Sequence, residues 1–177
     1  MPLITRTDLL VELSNSVSSE DNGLLDNLVA GVWGLWELLT GRSWEQADYT
    51  EYHNITSSTQ NRLYLRQTPV TEVTSIHNDA DWVYGDESLI DPADYSFCPE
   101  TGIVYYNSFF NPGDRAVKVV YEAGYQTANF PPGIKQVLVR QAAHWFKQAK
   151  NFQDFEKIDS VLAEFMALVE RFRRRRC

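Results

Sequence analysis

The sequence predicts an α+β protein, a bundle of about four helices with an antiparallel sheet and hairpin region inserted between the second and third. Three observations predict it. Apolar residues recur at helical spacing near both ends of the 177-residue chain. Between about residues 46 and 125 the period changes to alternation, with β-branched and aromatic residues broken by turn signals. Pro131-Pro132-Gly133 then restarts a helix, since proline suits a first helical turn.

The first helix is expected to begin near Thr5 or Thr7, either of which can cap it, with Leu9, Leu10 and Leu13 as its apolar stripe. Ser14 to Asn22 is polar and reads as a loop and a fresh cap. From Asp21 to Thr40 the residues Leu25, Leu28, Val29, Val32, Trp33, Leu35, Trp36 and Leu39 fall at helical spacing, and Gly41 supplies a C-terminal stop. Gly31 and Gly34 each cost about 1 kcal/mol relative to alanine in a helix. The expected return is close approach of another backbone.

Strands are expected at Tyr49–His53, Arg62–Arg66, Val73–Ile76, Tyr95–Cys98, Ile103–Tyr106 and Ala116–Glu122. Pro99-Glu100-Thr101-Gly102 is a turn that makes Tyr95–Cys98 and Ile103–Tyr106 a hairpin. Asn111-Pro112-Gly113-Asp114 is a second turn, before a strand in which Val117, Val119 and Tyr121 share one face. The third helix buries Ile134, Val137, Leu138, Ala142, Trp145 and Phe146. The fourth runs from about Asp154 with Ile158, Val161, Leu162, Phe165, Met166, Val169 and Phe172 on one face. The length fits a single domain over 1–177, with helices at about 5–41 and 132–172, the β region at about 46–125 and an arginine-rich tail at 171–177.

Composition narrows the function classes. Hydrophobic residues make up 44% of the chain and aromatics 13%, values of a globular protein. No stretch approaches the roughly 20 apolar residues of a membrane span, and the N-terminus lacks the apolar run of a signal peptide. The expected compartment is therefore a cytoplasm, with Cys98 and Cys177 as free thiols. The net charge of −8 hides an asymmetry, because residues 171–177 hold five arginines and no acid, which leaves −13 for residues 1–170. Such a body repels nucleic-acid phosphates, while the tail is drawn to an acidic surface or a phosphate backbone.

A search for chemistry yields no catalytic, metal or cofactor residues. His53, His77 and His144 stand singly, without metal-ligand spacing. The loop Asn78 to Glu87 fails the EF-hand pattern, because an aromatic occupies a ligand position and the glycine comes late. No phosphate-binding glycine loop and no nucleophile elbow are present. Cys98 has no histidine beside it in sequence and reads as a packed or surface thiol. The strongest local signal is the arginine run. Five arginines exceed what a helix dipole rewards, at about 0.3–1 kcal/mol per charge. Arg171, Phe172, Arg173, Arg174, Arg175 and Arg176 are therefore expected to dock on a partner. Removal of residues after Val169 is expected to leave the fold largely intact.

The element order carries a resemblance. Two N-terminal helices precede Pro69-Val70-Thr71-Glu72-Val73-Thr74-Ser75-Ile76, then a Gly102-Ile103-Val104-Tyr105 hairpin, then the strand that leads into Tyr121-Glu122-Ala123-Gly124-Tyr125 and a proline-led helix with Ala142 and Ala143. This resembles the head–tail connector, or adaptor, family of tailed bacteriophages and related gene transfer particles, over most of residues 5–150. The resemblance implies a structural virion protein that is no enzyme and needs no cofactor. It is made in the host cytoplasm and located in the virion neck. It implies a ring of identical subunits, usually twelve, between the capsid portal and a tail or stopper protein, with DNA passing through the channel and no membrane partner. The C-terminal segment would grip the portal. Two other readings stay open: a nucleic-acid-binding module acting through the arginine tail, and an enzyme whose polar cleft gathers several of the histidines and acids.

Overall fold

A computed structural model describes residues 2–14, 17–150 and 158–173. The described chain is α+β, with helices α1 (Arg6–Glu12), α2 (Asn22–Thr40), α3 (Pro132–Lys150) and α4 (Ile158–Phe172) and six strands. The strands are β1 (Ala47–Ile55), β2 (Arg62–Tyr64), β3 (Val70–Asn78), β4 (Tyr95–Cys98), β5 (Ile103–Tyr106) and β6 (Gly113–Ala123). All six lie between α2 and α3, as the sequence leads one to expect. The chain divides into two compact units, one of residues 1–44 and 126–177 and the other of residues 45–125.

In the helical unit each boundary has a local cause. Thr5 caps α1 by accepting from the Asp8 N–H, while the Asp8 carboxylate accepts from the Thr5 N–H at 2.9 Å, a capping box that satisfies two free donors. α2 follows a 3₁₀ turn at Ser19–Asp21 and stops at Gly41, whose φ of 68° is a left-handed conformation that glycine adopts without strain. Leu25, Val29, Val32, Trp33 and Trp36 form its buried stripe. On α3, Ile134, Leu138, Val139, Ala142, Ala143 and Phe146 are buried. On α4, Phe165 and Val169 are buried.

The second unit holds two three-stranded antiparallel sheets, ordered β1-β6-β3 and β2-β5-β4. The β4–β5 hairpin pairs Tyr95 with Tyr106 and Cys98 with Ile103 across the Pro99–Gly102 turn. Alternation puts Val117, Val119, Tyr121 and Ala123 of β6 into a core with Leu63, Leu65, Val73, Ile76 and Val104. Gly124, at φ 112°, follows β6 where the backbone of Glu45 and Gln46 passes so close that any Cβ would overlap it. The strand expected at Arg62–Arg66 ends at Tyr64. Beyond it the Leu65 N–H still donates to the Gly102 carbonyl in the register of the ladder, but the Arg66 N–H turns to the Glu51 side chain and ends the pairing.

Candidate docking site

The arginine-rich segment begins at the end of α4, where an aromatic cluster holds Phe172. Trp36 of α2 and Trp44 beyond the Gly41 stop lie with ring centroids 5.0 Å apart. Phe172 packs 6.1 Å from Trp36 and 5.4 Å from Trp44, both edge-on. Phe165 and Phe130 complete the group, at 6.2 Å from Trp36 and 6.3 Å from Trp44. Such pairs contribute about 0.5–1.5 kcal/mol each beyond their buried area. The Trp44 ring is also oriented by a polar chain, since its Nε1–H donates to Thr40 Oγ1 at 3.0 Å and that hydroxyl donates to the Trp36 carbonyl at 2.7 Å.

Of the residues expected to dock, the structure describes Arg171, Phe172 and Arg173; Arg174, Arg175 and Arg176 lie outside the described residues. The three have different surroundings. Phe172 is half-buried in the aromatic cluster and acts as an anchor for the helix end. The Arg171 guanidinium sits 5.8 Å from the Phe172 ring. Arg173, 65% exposed, has a loose 3.5 Å contact with Glu170 one turn back. This sharpens one expectation. Removing everything after Val169 deletes Phe172 from the packed cluster, so that cut takes a packed residue as well as the arginines. A cut after Arg173 keeps the anchor.

The polar groups of the sheet unit form a separate cluster. Tyr49, Glu51 and His53 alternate onto the inner face of β1. There the buried Glu51 carboxyl accepts the Tyr121 hydroxyl at 2.5 Å and the Arg66 backbone N–H at 3.0 Å. The Tyr121 oxygen in turn accepts from the Gln67 N–H at 3.1 Å. His53 Nε2 lies 3.5 Å from the second Glu51 oxygen, and Arg66 Nε lies 3.9 Å from it. Burial and the Glu51 hydrogen bond push the Tyr121 phenol up. Burial lowers the His53 imidazole, against the raising effect of Glu51. The sequence does not show this network because the hydrogen bonds that join its three segments span 15 to 70 positions. The available signal was a carboxylate on the apolar face of an alternating strand.

The remaining candidates stay apart. His77 Nδ1 is 3.2 Å from the Ser88 hydroxyl, and His144 is half-buried on α3. The Asp79 carboxylate accepts the N–H groups of Asp81, Val83 and Tyr84, which hold it below its usual range and use its oxygens to fold the 79–84 loop. The Cys98 thiol donates to Glu100 at 3.4 Å. Cys177 lies outside the described residues. Among the described residues no group of three or more potential ligands is arranged to hold a metal ion, and no helix is long and apolar enough to cross a membrane.

Comparison with known proteins gives a consistent structural result. No family model matches the chain. No curated protein sequence matches it either. Among solved structures, a chain in the neck of an empty gene transfer agent particle, determined with C6 symmetry, matches with a TM-score of 0.59 at 15% identity, covering 88% of this chain and 80% of that one. A chain from the virion of a native gene transfer agent particle matches at 0.58 and 18% identity, covering 91% and 81%. A chain in the neck of the native particle, determined with C12 symmetry, matches at 0.54 and 18% identity, covering 98% and 93%. At these identities the likeness is one of fold, and it spans both the helical and the sheet unit.

Proposed function

We propose that this chain is a structural component of a virion neck, an adaptor whose copies form a ring between the capsid portal and a tail or stopper protein. The observation that carries the reading is the near whole-chain fold match to proteins in particle necks with C6 and C12 symmetry. Physical features support it. Residues 1–170 carry −13, which suits a wall past which DNA slides without sticking. The arginine-rich end supplies the opposite charge where a docking arm is needed. The aromatic cluster holds the start of that arm in a fixed direction. In this reading the protein is no enzyme, is made in the host cytoplasm and is one domain over residues 1–177. Arg171 to Arg176 contact the portal, with Phe172 as the anchor.

Deletion of residues 174–177 tests the docking arm. The shortened chain is expected to keep its melting temperature and lose at least tenfold in affinity for the portal protein, measured by surface binding. Unchanged affinity would refute the arm.

The arginine run also favours a second reading, a nucleic-acid module. Five phosphate contacts would give a log–log salt slope of about −4 to −5 for DNA binding. A chain that binds no DNA at low salt excludes that reading and leaves the adaptor.

A further inference from the structure

The outer face of α2 has an unusual composition for solvent. Gly23, Asn27, Ala30, Gly31, Gly34 and Leu38 are all exposed, and they follow one another at spacings that form a single stripe. Leu38 is 76% exposed. A Cβ added at Gly23 or Gly34 would meet nothing within 4 Å, and one at Gly31 would meet only the Trp145 ring, at 3.8 Å. Among the described residues, the close backbone approach expected for Gly31 and Gly34 therefore does not occur. Each helical glycine still costs about 1 kcal/mol. An apolar stripe of small residues with one protruding leucine is the surface that lets another helix approach to the short end of the 8–10 Å interaxial range.

Charge selects the occupant. Residues 19–40 contain four acids, Glu20, Asp21, Asp26 and Glu37, and no lysine or arginine; Asp21 is paired with Lys150, and Asp26 has an exposed 3.0 Å pair with Arg6. Residues 132–150 contain four bases, Lys135, Arg140, Lys147 and Lys150, and no acid; Lys135 is paired with Asp8 and Lys150 with Asp21 in the same copy, so Arg140 and Lys147 carry the complementarity. Two α2 faces would set acid against acid. The exposed side of α3 instead presents Gln136, Arg140 and Lys147 at i, i+4 and i+11 on one stripe. Arg140 has a 3.6 Å contact with Glu164 in which both side chains are about half exposed, a surface pair that is readily exchanged.

We propose that the open face of α2 packs on the Gln136–Arg140–Lys147 face of α3 in a neighbouring copy of this chain. Each subunit gives one face and receives the other. Such a head-to-tail contact closes into a ring when its rotation closes, and an isologous pair cannot. This rests on the ring reading above and names the surfaces that build the ring.

Crosslinking tests the contact. In a chain with Cys98→Ser and Cys177→Ser, Gly34→Cys is combined with Gln136→Cys. A short bis-maleimide is added to the full chain assembling on purified portal protein, and rings are imaged in parallel. A ladder of covalent oligomers beyond the dimer is expected, and either cysteine alone should give none. Rings without a ladder would overturn the helix contact and leave the ring reading standing. Absence of both rings and ladder would overturn both. In a second arm, Gly34→Gln is expected to keep the monomer's circular dichroism and melting temperature, because the site is open, and to reduce ring formation at least tenfold. The pair Arg140→Glu and Lys147→Glu should do the same. Normal rings from either folded variant would contradict the proposal.

Discussion

The helical unit and the sheet unit treat their surfaces and interiors in opposite ways. The sheet unit buries a polar network, Glu51 with Tyr121, Gln67 and Arg66, between its sheets. The helical unit gathers an aromatic cluster around Trp36 and Trp44 and leaves a glycine-bearing face of α2 in solvent. A buried polar network favours one register, because a slipped strand would leave its groups unpaired. An open small-residue face does nothing for the subunit that carries it. Under the proposal above this contrast is a division of labour, in which the sheets hold a shape and the helices make the contacts between subunits.

The largest expected effect breaks the aromatic side of this comparison. Trp36→Ala removes the ring shared by Trp44, Phe165 and Phe172 and should destabilise the chain by about 3–5 kcal/mol in urea unfolding. If the chain is one domain, the loss appears in a single transition. Two separate transitions, with only one of them shifted, would show that the units unfold independently.

A smaller loss probes the polar side. Tyr121→Phe keeps the ring but takes a donor from Glu51 and an acceptor from the Gln67 N–H, and should cost about 1–3 kcal/mol. A neutral result would mean that the network contributes no net stability.

The smallest effect depends on pH. Burial depresses the folded pKa of His53 below the ordinary imidazole value of 6.5, with Glu51 opposing and Arg66 adding to the shift. As pH falls, the unfolded chain takes up this proton before the folded chain does. The contribution is thus fully favourable above about pH 6.5 and is lost as pH drops below that value. The shifted carboxyls Asp8 and Asp79 titrate from 3.8 downward and leave this window clear. His53→Gln should flatten the dependence of urea midpoint on pH between 7 and 5. An unchanged slope would assign it elsewhere.

Most of the fold was readable because its signals are local. Thr5 with Asp8, Gly41, Pro132 and the Pro99–Gly102 turn act within a few residues, and alternation along β6 is visible over its own length. The connections between distant residues were not readable. Nothing near Phe172 in sequence announces Trp36 or Trp44, so a residue read as part of a charged arm packs instead in the aromatic cluster. Gly31 and Gly34 announce their cost and an approaching backbone, but not whether that backbone belongs to the same copy or to another. A single sequence reports the cost of a residue at its own position, whereas the compensation is set by packing in three dimensions, and for α2 the account places it in the next subunit.

The account stands most directly on electron microscopy of the full chain bound to purified portal protein. It predicts a closed ring of identical copies seated on the portal, with the helical units in contact around the ring. Portal particles that bind no copies of the chain, or bind them without forming a ring, would contradict it.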